Sequence, residues 1–132
     1  MNSDSTAVSA RQRTLGTDAL IRGLERWVVA QLGSVEHERR VRDIALNLFD
    51  LTWQRHRLSG WARRVLEIAA ILHDIGRGRD KKEHPALGAR MVMDRSTLAL
   101  TAPQRRAVAC LTHHHRGGVP DEGEERWLNG GD

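Results

Sequence analysis

The sequence predicts an all-α fold, one compact helical domain of about five to six helices, on three observations. Leu, Ala and Arg are plentiful and β-branched runs are scarce, which favours helix over strand. Apolar residues recur at three- and four-residue steps along several segments. Those segments are punctuated by Ser, Thr, Pro and Gly at places that start or stop helices. At 132 residues the chain fits one domain with a single core.

Taken in order, residues 1–16 are polar and without period, which predicts a flexible N-terminal tail. Thr17 reads as an N-cap with Asp18 in the first turn, and Leu20, Ile21, Leu24, Trp27, Val28 and Leu32 follow at helical spacing until Gly33. Ser34 restarts the pattern as an N-cap. Val41, Ile44, Ala45, Leu48, Phe49 and Leu51 then draw the inward face of a long helix reaching about Trp53 or Arg55. His37 lies one turn before Val41, at the edge of that stripe, where a surface or capping role is the ordinary alternative.

Ser59-Gly60 opens a third helix over about 61–73, whose stripe of Val65, Leu66, Ile68, Ala69, Ile71 and Leu72 makes it the central one. The loop from Gly76 to Lys82 carries Arg77, Arg79, Lys81 and Lys82, as a solvated loop or as a lip that attracts phosphate. His84-Pro85 begins a fourth helix with Pro in the tolerated first turn, ending near Asp94 and Ser96. Thr101 caps a fifth, with Pro103 in its first turn and Ala107, Val108, Cys110 and Leu111 inward, running into His113-His114-His115. The helical domain is therefore expected over 17–120, and the acidic, Gly-rich stretch 121–132 as a flexible C-terminal tail.

Composition narrows the function. The net charge is +4 with His neutral, and the basic residues are mostly Arg, which suits anionic partners. Cys110 stands alone, so no intramolecular disulfide and no Cys-rich zinc site can form, and its apolar neighbours suggest a buried structural thiol. No apolar run has the length of a membrane span and the N-terminus lacks a signal-peptide core, so a cytoplasmic, reduced protein is expected. Nucleic-acid binding is not expected, because no helix carries a basic stripe with aromatic interleaving.

The chemistry gathers at Ile68-Ala69-Ala70-Ile71-Leu72-His73-Asp74-Ile75-Gly76, where a buried apolar run ends in two good divalent-metal ligands. A buried carboxylate needs a partner. A metal, an Arg or a free backbone N–H would each serve for Asp74. Six of the seven histidines fall near predicted helix ends: His37, His73, His84 and His113 to His115. Metal sites in helical bundles are assembled from side chains on facing helices in this way.

The ordered set Glu36-His37-x-x-Arg40-Val41, Leu72-His73-Asp74-Ile75-Gly76, His84-Pro85-x-x-Gly88 and His113-His114-His115-Arg116-Gly117-Gly118-Val119-Pro120 resembles the HD superfamily of metal-dependent phosphohydrolases. Within it the chain is most similar to the C-terminal HD-type domain of the exopolyphosphatase and guanosine pentaphosphatase family, over about residues 34–120. The resemblance implies an HD-type helical domain with His37, His73 and Asp74 as metal ligands. It further implies that His84, with His114 and His115, lines a second metal or the substrate phosphate. Asp74 is the implied catalytic residue, orienting a water for in-line attack on phosphorus. Arg40, Arg77, Lys81, His113 and Arg116 are the candidate phosphate contacts. Relatives of this kind usually supply a last aspartate from a later helix, for which only Asp94 and Asp121 remain, neither in the expected motif. Two functions stay open: a phosphohydrolase acting on a nucleotide or other phosphate ester, and a non-catalytic module binding a phosphate-rich ligand such as polyphosphate or a protein partner. The cofactor would be a divalent ion among Mn, Fe, Ni, Co and Zn. A homo-oligomer, with a second subunit covering an exposed helix face, is also open.

Overall fold

Ser59 starts the helix on which the others rest: its hydroxyl accepts from the Ala62 N–H, one of the amides that a helix start leaves without a partner. In the computed structural model, which describes residues 19–128, this helix is α4 (Gly60–Leu72). Among the described residues there are seven helices and no strand, packed as one compact all-α domain. Before α4 come α1 (19–32), α2 (Glu36–Leu51) and α3 (Trp53–His56); after it come α5 (His84–Asp94), α6 (Ala102–His114) and α7 (Glu122–Leu128). The expected tail 1–16, the Thr17 cap with Asp18, and residues 129–132 lie outside the described residues.

The core forms where α4 meets α2 and α6, with α5 against α6. Leu24 and Val28 of α1, Ile68, Ile71 and Leu72 of α4, Val92 of α5 and Val108 of α6 are almost wholly buried. Each such side chain contributes about 1.5–3 kcal/mol relative to exposure. Two ion-paired contacts flank this core. Glu25 of α1 accepts from Arg39 and Arg42 of α2, and Asp50 of α2 accepts from Arg63 of α4 at 2.8 and 2.9 Å.

Three local features depart from the sequence expectation. The long second helix breaks at Thr52, whose hydroxyl donates to the Leu48 carbonyl at 2.6 Å and so competes with the helix ladder. The short α3 follows and ends at Arg57, in the left-handed region with φ 52°. His56, the histidine outside the cluster of six, joins the two pieces by donating from Nε2 to the Phe49 carbonyl while its Nδ1 accepts from Leu58 N–H.

The inward stripe of α2 is also narrower than expected. Ile44, Leu48 and Leu51 are 61%, 58% and 82% exposed. α2 packs against α4 and is tied to α1 by Arg39 and Arg42, and the strip it turns from solvent carries Glu38, Val41, Arg42, Ala45, Leu46 and Phe49.

Third, the stretch from 121 expected as a tail contains α7. Asp121 Oδ1 accepts from Glu124 N–H at 2.9 Å, and Glu124 Oε1 accepts from Asp121 N–H at 3.3 Å. That reciprocal pair is a capping box, and Leu128 packs on the core beyond it.

Candidate metal and phosphate site

Asp74 lies at the centre of the site because two glycines let the chain come close behind it. After α4 the backbone runs through successive tight turns over 73–79, Ile75 N–H donating to Leu72 O and Arg77 N–H to Asp74 O. A Cβ on Gly76 would stand 2.7 Å from the His84 carbonyl and 2.8 Å from the Gly88 amide nitrogen. A Cβ on Gly88 would stand 3.0 Å from Thr112 Cγ2. The turn after His73-Asp74 therefore rests directly on the first turns of α5 and brings His84 alongside Asp74. The glycines of His-Asp-Ile-Gly and His-Pro-x-x-Gly face one another.

Around the buried Asp74 carboxylate four imidazoles converge, each through Nε2. His84 is 3.1 Å and His115 3.3 Å from Oδ1, while His73 is 3.5 Å and His37 3.6 Å from Oδ2. Three of them are held by their other nitrogen. His73 Nδ1 lies 2.6 Å from the Ala70 carbonyl, His84 Nδ1 2.9 Å from that of Lys81, and His115 Nδ1 2.7 Å from that of Thr112. A carbonyl only accepts, so each Nδ1 carries a proton and each ring turns Nε2 inward, as a lone pair where the ring is neutral and as a donor where it is protonated. His84 Nε2 and His115 Nε2 are 3.2 Å apart. Two lone pairs so close beside a carboxylate require positive charge between them, from a proton or from a cation.

The electrostatics follow from this crowding. The hydrogen bond from His115, with His73 and His84 beside it, holds the Asp74 carboxyl well below the usual carboxylate range against the opposing effect of burial. The same hydrogen bond to Asp74 raises the pKa of His115. Asp74 is thus an anion throughout the neutral range.

The donor set fits a divalent ion. The donor atoms of His37, His73 and Asp74 lie within 4.8 Å of one another, and so do those of Asp74, His84 and His115, with Asp74 common to both groups. Imidazole nitrogens oriented by backbone carbonyls and a shared carboxylate are ligands suited to first-row transition metals. Arg77, Lys81 and Arg116 join these five residues in lining a pocket of about 420 Å³. Arg77 reaches Asp74 Oδ2 at 3.8 Å and is otherwise mostly exposed.

Of the residues expected at the site, the structure thus brings together His37, His73, Asp74, Arg77, Lys81, His84, His115 and Arg116. Arg40 is exposed on α2 and does not line this pocket. His113 and His114 sit on another side of α6: His114 Nε2 is 3.0 Å from Glu124 Oε2, and His113 lines a separate cavity with Cys110 and Trp127. Successive helical residues turn by about 100°, so one of three consecutive histidines can face Asp74 while its neighbours cannot. Asp94 lines a different cavity beside Trp27, and Asp121 caps α7. One residue that the sequence reading passed over stands beside the site. Glu38, 4% exposed, lines an adjoining cavity of about 340 Å³ that shares His37, Arg77 and Lys81. Its position three residues before Val41 and seven before Ala45 was the signal that it points inward.

Comparison with known proteins identifies the family. Residues 30–127 match the family model described as Ppx/GppA phosphatase, domain III. No curated protein sequence and no solved structure matches the chain. The family match spans more than half of the chain and includes all five residues of the histidine–aspartate cluster, so the chain belongs to the Ppx/GppA phosphatase domain III family.

Proposed function

We propose that this chain is a metal-dependent phosphohydrolase of the HD superfamily, acting as a phosphomonoesterase or phosphodiesterase on a nucleotide or another phosphate ester. One observation carries the reading: four imidazole Nε2 atoms converge on one buried carboxylate, three of them fixed by backbone carbonyls, with cationic side chains at the rim. His37, His73 and Asp74 would hold one divalent ion, and His84 and His115, sharing Asp74, a second. A bound ion supplies Lewis acidity, which lowers the pKa of water and offsets charge on phosphate oxygens.

The chain's own residues divide the remaining work. Asp74, kept ionised by its histidines, orients water through its carboxylate. Arg77, Lys81 and Arg116 line the mouth and neutralise a phosphate that enters it, Arg by paired N–H donors and Lys as a point charge. Lys81 also positions His84, since its carbonyl accepts the hydrogen bond from His84 Nδ1–H. The role expected for Arg40 in binding phosphate would require a ligand that extends beyond this pocket along α2.

A second reading is a phosphate-binding module without hydrolytic activity, recognising polyphosphate or another phosphate-rich ligand. Asp94 and Asp121 favour it, because neither adds a second carboxylate to the cluster. The same experiment decides between them. Untagged protein should carry about one or two transition-metal ions per chain by inductively coupled plasma mass spectrometry. Asp74→Asn, which keeps the side-chain shape, should lose the ions held by the histidine–aspartate cluster and any phosphatase activity, with the helical circular dichroism unchanged. Metal in the parent with no turnover across nucleotide, phosphomonoester, phosphodiester and polyphosphate substrates would select the module. Equal metal in parent and Asp74→Asn would refute the site.

A further inference from the structure

Behind α6, away from the histidine–aspartate cluster, Cys110, His114 and Glu124 meet between α6 and α7. We propose that these three residues form a second, structural site for a borderline-soft divalent ion such as zinc, which fastens α7 onto α6. It is independent of the phosphate site described above.

The donor atoms are of the types zinc takes: a sulfur, an imidazole nitrogen and a carboxylate oxygen. They all lie within 4.8 Å of one another, with Cys110 Sγ 3.8 Å and His114 Nε2 3.0 Å from Glu124 Oε2. Ligands at zinc bond lengths of about 2.0–2.3 Å stand roughly 3.3–3.7 Å apart at tetrahedral angles, so small side-chain shifts would suffice. The charges also close, since one thiolate and one carboxylate neutralise a dication. Binding would release the thiol proton to solvent.

The setting is a ligand's rather than a bare thiol's. Cys110 is 2% exposed, and the cavity beside it, about 300 Å³, is walled by Ala86, Ala89, Met93 and Trp127 together with Arg90 and His113. Burial, and then the neighbouring Glu124, push the Cys110 thiol up to about 11. In the opposite sense, the hydrogen bond from His114 lowers the Glu124 carboxyl. A cation relieves this opposition by binding all three groups. The hard ions Mg and Ca are excluded by the sulfur.

Cobalt is the direct test, because a thiolate bound to Co²⁺ gives a near-ultraviolet charge-transfer band and a histidine–carboxylate site gives none. Cys110 is the chain's one cysteine, so the band would report on this site alone. Chelator-stripped full-length chain titrated with Co²⁺ should develop the band, and Asp74→Asn should keep it. Cys110→Ser should abolish it, and Glu124→Gln should weaken the cobalt affinity by about 100-fold or more, beyond the loss of an outer-shell partner. In the unaltered chain, zinc should also slow alkylation of Cys110, a readout that no variant's folding can compromise. Cobalt bound without the band, or zinc leaving the alkylation rate unchanged, would overturn the proposal and leave a hydrogen-bonded trio. Loss of the band in Asp74→Asn would overturn its independence from the histidine cluster.

Discussion

Gly76 is present for the side chain it lacks. It is not among the residues with positive φ, so backbone freedom is not what the position demands. What it demands is room, since an added Cβ would meet main-chain atoms of α5 at 2.7 and 2.8 Å that no side-chain rotation can clear. Gly76→Ala should therefore destabilise the fold by about 1–3 kcal/mol, the cost of overpacking. It should also lower the metal retained, because His84 is displaced from Asp74. Urea denaturation and metal analysis of one preparation check both effects. Gly60→Ala is the control. Nothing lies within 4 Å of a Cβ at that helix start, so the change should be neutral or stabilising by up to about 1 kcal/mol. The motif glycines were visible in the sequence, but only as breaks; that they face each other across twelve residues is a tertiary fact. The histidine run shows the same limit. That some of His113 to His115 would face the packed side could be read from the sequence, but which one depended on the rotation of α6 against α5 and α4.

At the scale of elements, capping chemistry carried most of the reading. Ser59 and Thr101 start α4 and α6 with the side-chain bonds their positions suggested, Thr101 in a full capping box with Gln104. Asp121 and Glu124 form the same device at α7, a four-residue signal hidden in a stretch whose composition suggested only a tail. A less legible joint holds α5 to α6. The Arg105 guanidinium donates to the carbonyls of Val92 at 2.7 Å, Arg95 at 2.6 Å and Leu98 at 3.0 Å, and so satisfies the end of α5 and the loop after it. Nothing local in the sequence separates Arg105 from the other arginines, because its partners lie 7 to 13 residues away. Arg105→Ala should cost about 1–3 kcal/mol, since it leaves the part-buried carbonyls of Val92 and Leu98 without their charged donor. Arg105→Lys should recover only part, because one ammonium cannot span three carbonyls as the planar fork does. Urea midpoints of the three proteins, followed by circular dichroism, give the comparison.

Across the whole molecule the buried and exposed apolar residues are sharply divided, and the division sets how the chain should respond to substitution. One side is the core around α4, where Ile68, Ile71 and Leu72 are fully buried. The other is an outer face on α2, α3 and the loop after them, where Ile44, Leu48, Leu51, Trp53 and Leu58 are each about half exposed or more. Periodicity placed Ile44, Leu48 and Leu51 on an inward stripe just as it did Ile68, Ile71 and Leu72, because spacing reports that residues share a face and not whether a neighbour covers it. The two sets should therefore respond oppositely. Ile71→Ala removes a fully buried side chain from the centre and should cost about 2–5 kcal/mol. The double change Ile44→Lys with Leu48→Lys should alter the unfolding free energy by about 0.5 kcal/mol or less, because both side chains are more than half exposed and the Asp50–Arg63 pair that ties α2 to α4 is untouched. It should also reduce self-association in sedimentation velocity, since exposed apolar patches promote contact between copies. If the double change instead costs as much as Ile71→Ala at low protein concentration, the outer face is covered within the single chain and the packing described for α2 is wrong. If the cost appears only as concentration rises, the face is buried between copies, and the stability of this domain depends on its assembly.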